Sequence, residues 1–177
     1  MQKSSSRSRL RFVGAVMSLV CANAIGEEYA VIGIDLANEN TYWKIKSIND
    51  GVFPLVSSDP KVEEFYRRAF EKGNFLATFD PIAYQHADII IVDINLDVQK
   101  QSLPSGEIRD FQVDLKPFKN AIETIGSKCR EEVLIIVETT VPPGTCAKIV
   151  KPLVEEGLSN RGLQLDKYRL GHSYERV

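Results

Sequence analysis

Histidine is nearly absent from this chain, with only His86 and His172 among 177 residues. Cysteine is scarce too: Cys21, Cys129 and Cys146 make an odd number, and no two stand as C-x-x-C. That pattern excludes a disulfide framework and a structural zinc site, and it fits free thiols in a reducing cytosol. An excess of one charge is also lacking, since 22 Lys+Arg face 24 Asp+Glu for a net charge of −2. The electrostatic case for binding nucleic acid or a membrane surface therefore falls away. No apolar run approaches the roughly 18 residues that a membrane span requires. What remains, 44% hydrophobic and 26% charged residues, is a globular composition. The length suits one ordinary domain that needs neither metal nor disulfide to fold.

The N-terminus admits two readings. Lys3, Arg7, Arg9 and Arg11 precede a mostly apolar stretch from Phe12 to Val20, and Ala22-Asn23-Ala24 could serve as a cleavage site. Such a segment could be a secretory signal. The reading preferred here is a helix from Val13 to about Ala24 feeding a strand at Ala30–Asp35, because a signal peptide does not account for a strand ending in Asp so soon afterwards. Residues 1–8 read as a polar tail.

Further along, apolar strands alternate with amphipathic helices. Tyr29–Asp35, Phe75–Phe79, Asp88–Val92, Glu132–Val137 and Tyr168–Gly171 read as strands. Helices are expected over Glu39–Ile48, from Asp59-Pro60 to Gly73, briefly from Asp80-Pro81 to Gln85, over Phe111–Cys129, and over Thr145–Glu156. Asp at an N-cap followed by Pro, and Gly just past the end, are the usual punctuation of a helix. The polar stretch Asn95–Arg109, with Pro104 and Gly106, reads as a long exposed loop. Strands apolar on both faces and separated by helices predict an α/β fold with a parallel sheet.

Ligands of such sheets bind beyond the carboxyl ends of the strands. Asp35, Asp93 to Leu96, and Thr139 to Gly144 leave those ends here. Gly14 and Asp35 lie 21 positions apart, close to the spacing from a glycine turn to the acid that binds an adenosine ribose. A carboxylate there accepts both ribose hydroxyls and repels a 2′-phosphate; equally, Asp35 could simply cap the next helix. Val137-Glu-Thr-Thr-Val-Pro-Pro-Gly-Thr145 is the more specific pattern, a rigid loop that brings two hydroxyls and a helix N-terminus to the sheet edge.

Together these segments resemble the N-terminal domain of the nucleotide-sugar (UDP-glucose/GDP-mannose) dehydrogenase family. The resemblance rests on Phe12-Val-Gly-Ala, Val31-Ile-Gly-Ile-Asp35, Ile48-Asn-Asp-Gly51 with Pro54, Ala87-Asp-Ile-Ile-Ile-Val92, Glu138-Thr-Thr-Val-Pro-Pro-Gly-Thr145 and Ser173-Tyr-Glu-Arg176. They stand in the family's order over residues 9–177. The resemblance implies a Rossmann-like parallel sheet with helices on both faces, its first strand degenerate or missing. It further implies a cytoplasmic enzyme that uses two NAD molecules in turn to oxidise the C6 alcohol of a UDP- or GDP-sugar to the uronic acid, for polysaccharide biosynthesis. In that family a cysteine thiol holds the aldehyde stage as a thiohemiacetal and then a thioester.

By the same resemblance, Gly14 is the last fingerprint glycine and Asp35 holds the adenosine ribose. Asp93, Ile94 and Asn95 line the cofactor, with Thr139 beside them. Thr140 sits near the nicotinamide and the reacting carbon, and Glu175 helps to position the hydrolytic water. No metal is expected.

The chain departs from the family at several positions. Arg9 and Arg11 stand at the two earlier fingerprint glycines, where a side chain fills space that the pyrophosphate needs. Asp93-Ile-Asn-Leu96 replaces a Thr-Pro, and Tyr174 replaces a Pro before the glutamate. In relatives the catalytic cysteine, lysine and asparagine, the dimer-forming helix and the substrate domain all lie beyond the position of Val177. The expectation is therefore a domain incomplete at both ends, inactive alone and without the homodimer of its relatives. The alternatives are a non-catalytic module that binds a nucleotide or a partner protein, or an exported protein with a signal at 1–24.

Overall fold

A computed structural model describes residues 12–26, 28–39, 41–94, 96, 98–102 and 108–173. The chain divides between Asp80 and Pro81 into two compact units. Arg9, Arg11, Asn95 and Glu175 lie outside the described residues, as do the polar tail and Tyr174.

The first unit begins with helix α1, Phe12–Ala22, followed by strand β1, Val31–Ile34. Helices α2, Tyr42–Asn49, and α3, Pro60–Lys72, lead to strand β2, Phe75–Thr78. β1 and β2 pair in parallel, Val31 opposite Phe75 and Ile34 opposite Thr78. The preferred reading of the N-terminal segment as a helix agrees with α1, whose Ala15, Leu19 and Ala22 are buried with Val62, Tyr66 and Ala69 of α3 and Phe75 and Ala77 of β2. α3 carries its expected punctuation. The Asp59 side chain accepts the Lys61 N–H at 2.9 Å, and Gly73 closes the helix at φ +71°, donating to Ala69 and Phe70.

The Ile48-Asn-Asp-Gly turn has a specific task. The Asn49 amide donates to the Ala77 carbonyl at 2.8 Å, while its oxygen accepts the Ala77 N–H at 2.9 Å. One side chain thus satisfies a strand edge in the manner of a neighbouring strand. Gly51 turns the chain at φ +86°, where a Cβ would also lie 3.1 Å from the Phe70 ring.

The second unit opens with a 3₁₀ turn, Pro81–His86, and strand β3, Ile89–Val92. Strands β4, Val98–Ser102, and β5, Ile108–Val113, come next, then helix α4, Lys116–Lys128, and strand β6, Leu134–Val137. A π-helical turn, Cys146–Val150, runs into helix α5, Lys151–Ser159, before strand β7, Arg169–His172. The parallel sheet has the order β3-β6-β7. Alternate residues Ile90, Val92, Ile135 and Val137 share a core with Phe118, Ile122 and Ile125 of α4 and Val154 and Leu158 of α5. The two helices meet backbone to backbone, since a Cβ on Gly157 would lie 2.3 Å from the Gly126 carbonyl carbon.

The sequence expectation fails over 95–109. That stretch, read as an exposed loop, contains β4 and the start of β5, which pair antiparallel as a two-stranded ribbon with a register shift at Gln101/Ser102. Its apolar residues, Val98, Ile108, Phe111 and Val113, do not alternate regularly along either strand, and hydrophobic periodicity is the sequence signal that marks a strand. Phe111 to Val113 consequently end β5 rather than opening a helix, and α4 starts at Lys116. α2 likewise starts at Tyr42 rather than Glu39, and α5 runs on to Ser159. Among the described residues β1 pairs only with β2, and β3 only with β6 on its own sheet.

Candidate cofactor-binding site

The predicted site residues fall into two groups, one in each unit. In the first unit Asp35 follows β1 directly, and its N–H extends the pairing to the Thr78 carbonyl at 3.1 Å. Its Oδ1 accepts the Leu36 N–H at 2.8 Å. An ionised carboxylate has about four acceptor positions, so capacity remains for two ribose hydroxyls. Partial burial raises the Asp35 pKa, while the Leu36 N–H and the positive charge of Lys44 pull it back down. Gly14 lies in the first turn of α1, where its carbonyl accepts the Ser18 hydroxyl at 2.8 Å.

The chain beyond Asp35 is tightly tied. The buried Thr41 hydroxyl donates to the Leu36 carbonyl, and the Thr41 and Tyr42 N–H groups reach the Asn38 carbonyl at 3.1 and 3.0 Å. This tie delivers Lys44, which sequence reasoning missed. Lys44 is only 5% exposed on the first turn of α2. Burial lowers its pKa, and the attraction of Asp35 raises it again. Its ammonium lies 5.9 Å from the centroid of the Trp43 ring. The available signal was a lysine in the first turn of the helix after the strand that leads into Asp35, but in sequence it looks like any surface lysine.

In the second unit the ends of β3 and β6 bring Asp93, Ile94 and Thr139 together. The Thr139 hydroxyl donates to the Val92 carbonyl at 3.2 Å and accepts the Ile94 N–H at 2.7 Å. The Glu138 and Thr139 N–H groups reach the same Val92 carbonyl, at 2.9 and 3.1 Å. Thr139 is 1% exposed, so its hydroxyl fastens the two strand ends to each other. Thr140, the next residue, is exposed. Pro142 accepts both the N–H and the hydroxyl of the buried Thr145, at 3.1 and 2.7 Å, and Gly144 turns at φ +83°. The Thr-Val-Pro-Pro-Gly-Thr loop is therefore held at both ends.

Each unit thus brings polar groups to its own strand ends: a half-buried carboxylate in the first, and a locked loop followed by helix in the second. Among the described residues no cluster of three His, Cys, Asp or Glu could hold a metal ion, and no helix is long and apolar enough to cross a membrane.

Residues 10–177 match the family model described as the UDP-glucose/GDP-mannose dehydrogenase family, NAD binding domain. The chain is 30% identical over 151 residues to a GDP-mannose 6-dehydrogenase from Pseudomonas syringae, covering 83% of this chain and 30% of that protein. It is 26% identical over 168 residues to a UDP-N-acetyl-D-mannosamine dehydrogenase from Pyrococcus horikoshii, covering 95% and 35%. Among solved structures, an NDP-N-acetyl-D-galactosaminuronic acid dehydrogenase from Methanosarcina mazei superposes with a TM-score of 0.76 at 26% identity, over 94% of this chain and 33% of that one. A GDP-mannose dehydrogenase from Pseudomonas aeruginosa gives 0.72 at 25%, over 96% and 35%. The chain thus spans about a third of the length of these relatives. With a Rossmann-like fold of parallel sheets and helices and a matching order of motifs, the chain belongs to the UDP-glucose/GDP-mannose dehydrogenase family as its NAD binding domain, and its cofactor is NAD.

Proposed function

We propose that this chain is the cofactor-binding part of a nucleotide-sugar dehydrogenase that oxidises the C6 alcohol of a UDP- or GDP-sugar to a uronic acid for polysaccharide biosynthesis in the cytoplasm. When bound, NAD supplies the hydride acceptor. Asp35 takes the adenosine ribose hydroxyls; burial disfavours its carboxylate, and the Leu36 N–H and then the charge of Lys44 partly offset that. Asp93, Ile94 and Asn95 offer backbone groups to the cofactor, and Thr139 holds that backbone still. Thr140 presents a hydroxyl toward the nicotinamide end. Gly14 opens the helix after the fingerprint turn, and Glu175 orients water at the oxidised carbon.

By itself the chain binds NAD without turning over sugar. Burial pushes the Cys129 and Cys146 thiols up, away from the thiolate that nucleophilic chemistry needs. Arg9 and Arg11 at the fingerprint glycines weaken the pyrophosphate contact, so binding is centred on the adenosine end. The observation that carries this reading is the half-buried Asp35 carboxylate at the end of β1, held by the Leu36 N–H with acceptor positions to spare.

Isothermal titration tests it. NAD should bind in the micromolar to millimolar range, and Asp35→Ala should lose about tenfold or more, as expected when a charged hydrogen-bond acceptor is removed. Equal binding by the variant would sink the assignment.

A further inference from the structure

The helical stretch after the Thr-Val-Pro-Pro-Gly-Thr loop does not keep one period. Val150, Val154 and Leu158 are buried at steps of four, but Thr145, the next buried residue toward the loop, lies five before Val150. An α-helix advances about 100° per residue, so a five-residue step would leave Thr145 about 140° from Val150, off the buried face. The turn Cys146–Val150 is instead π-helical, and the Lys151 N–H donates to the Cys146 carbonyl five residues back. The extra residue in that wider turn brings Thr145 inward together with Val150.

Pro152 supplies the reason for the wider turn. It has no N–H to give the Lys148 carbonyl four residues back, and in an α-helix its ring would press on that carbonyl. Pro152 itself is exposed, so its effect on the fold runs through the backbone rather than through packing. Thr145 in turn fixes the loop, since its N–H and hydroxyl both bond the Pro142 carbonyl. Val141 packs against the same core, and its neighbour Thr140 stays exposed.

We propose that Pro152 is a positioning residue for the cofactor: it holds the π turn, the turn keeps Thr145 in the core, and Thr145 holds the loop from which Thr140 meets NAD. The role rests on the NAD reading above and extends it to a residue that acts through another. Without the proline the segment closes as an α-helix. Cys146, four before Val150, then takes the inward place, and Thr145 turns out with its loop.

Two variants of the full chain test this by calorimetry and by maleimide labelling, the latter read by mass spectrometry of the peptide that contains Cys146. In Pro152→Ala, Cys146 should label more slowly than in the unaltered chain. NAD should bind about fivefold more weakly, as for the loss of one neutral hydrogen bond. AMP, which reads the Asp35 end of the cofactor alone, should bind as before. Deleting the exposed Ala147 in the Pro152→Ala background restores a four-residue step from Thr145 to Val150, so NAD affinity and Cys146 labelling should both return. Unchanged NAD binding by Pro152→Ala, whatever its labelling rate, would overturn the positioning role and leave the NAD reading intact. An equal loss of AMP and NAD, or a double variant no better than Pro152→Ala, would overturn it as well. An unaltered chain that gives no heat with NAD would overturn the NAD reading and this role with it.

Discussion

Thr139 uses its hydroxyl twice, giving to Val92 and receiving from Ile94. Thr139→Val keeps the shape but strands the Ile94 N–H, so it should cost about 1–3 kcal/mol in denaturant unfolding. Thr139→Ser should recover most of that loss. Lys44 acts at the same scale through charge. Asp35 ionises above its ordinary value of 3.8 when folded, so its ionised form is disfavoured by the fold. This group favours stability most below 3.8 and works against it as pH rises through the folded value. Ribose binding runs the other way and is lost as pH falls through that value. Lys44→Met removes the opposing cation, so the acid limit of NAD binding should move to higher pH in titrations across pH 4–7 (about one Asp-to-His interval). An unmoved limit would show that Lys44 does not govern Asp35. Neither residue is conspicuous in sequence: Thr139 reads as a ligand, and Lys44 as solvated surface.

At the scale of elements, some boundaries were legible because their causes are local. Asp59, Pro60 and Gly73 bound α3 through contacts within a few residues. β3 and β6 are legible as continuous apolar runs. The β4/β5 ribbon was not, since only Val98 and Val113 pair apolar with apolar and the remaining pairs set polar residues against polar or apolar ones, with no regular alternation. The Asn49 clamp on Ala77 spans 28 positions and has no local signature at all. Asn49→Leu should open the β2 edge and cost about 1–3 kcal/mol for the two unpaired backbone groups, measured by equilibrium unfolding. The α4–α5 crossing depends on two glycines. In Gly157→Ala the new methyl meets the Gly126 backbone, which cannot move aside as a flexible side chain would. Overpacking of this kind costs about 1–3 kcal/mol, and an unchanged denaturation midpoint would contradict the close approach.

For the whole molecule, ligand linkage offers a test that needs no catalysis. A ligand that binds only the folded state stabilises it by about 2.7 kcal/mol at a hundred times its dissociation constant. NAD should therefore raise the melting temperature of the chain by several degrees, and Asp35→Ala should abolish most of the rise. A melting temperature indifferent to NAD would remove the folded chain as its receptor. The three cysteines bear on this scale as well. Their odd number pointed to free thiols, and Cys21, Cys129 and Cys146 are all unbridged.

The sequence by itself determined the α/β class, the order of motifs and the placement of Asp35, Asp93 and Thr139 at strand ends. Those features follow from local chemistry: apolar runs make buried strands, and caps and glycines stop helices. Tertiary structure alone decided which of these residues stay exposed and which hold others in place. Thr139 went inside and Thr140 outside beyond the end of β6, where the Thr139 hydroxyl is taken up by Val92 and Ile94. Lys44 acts on Asp35 electrostatically across the loop that Thr41 ties to Leu36. The aromatic rings of α2 stayed exposed because the helix turns its other side to the core, a choice made by packing at a distance in sequence.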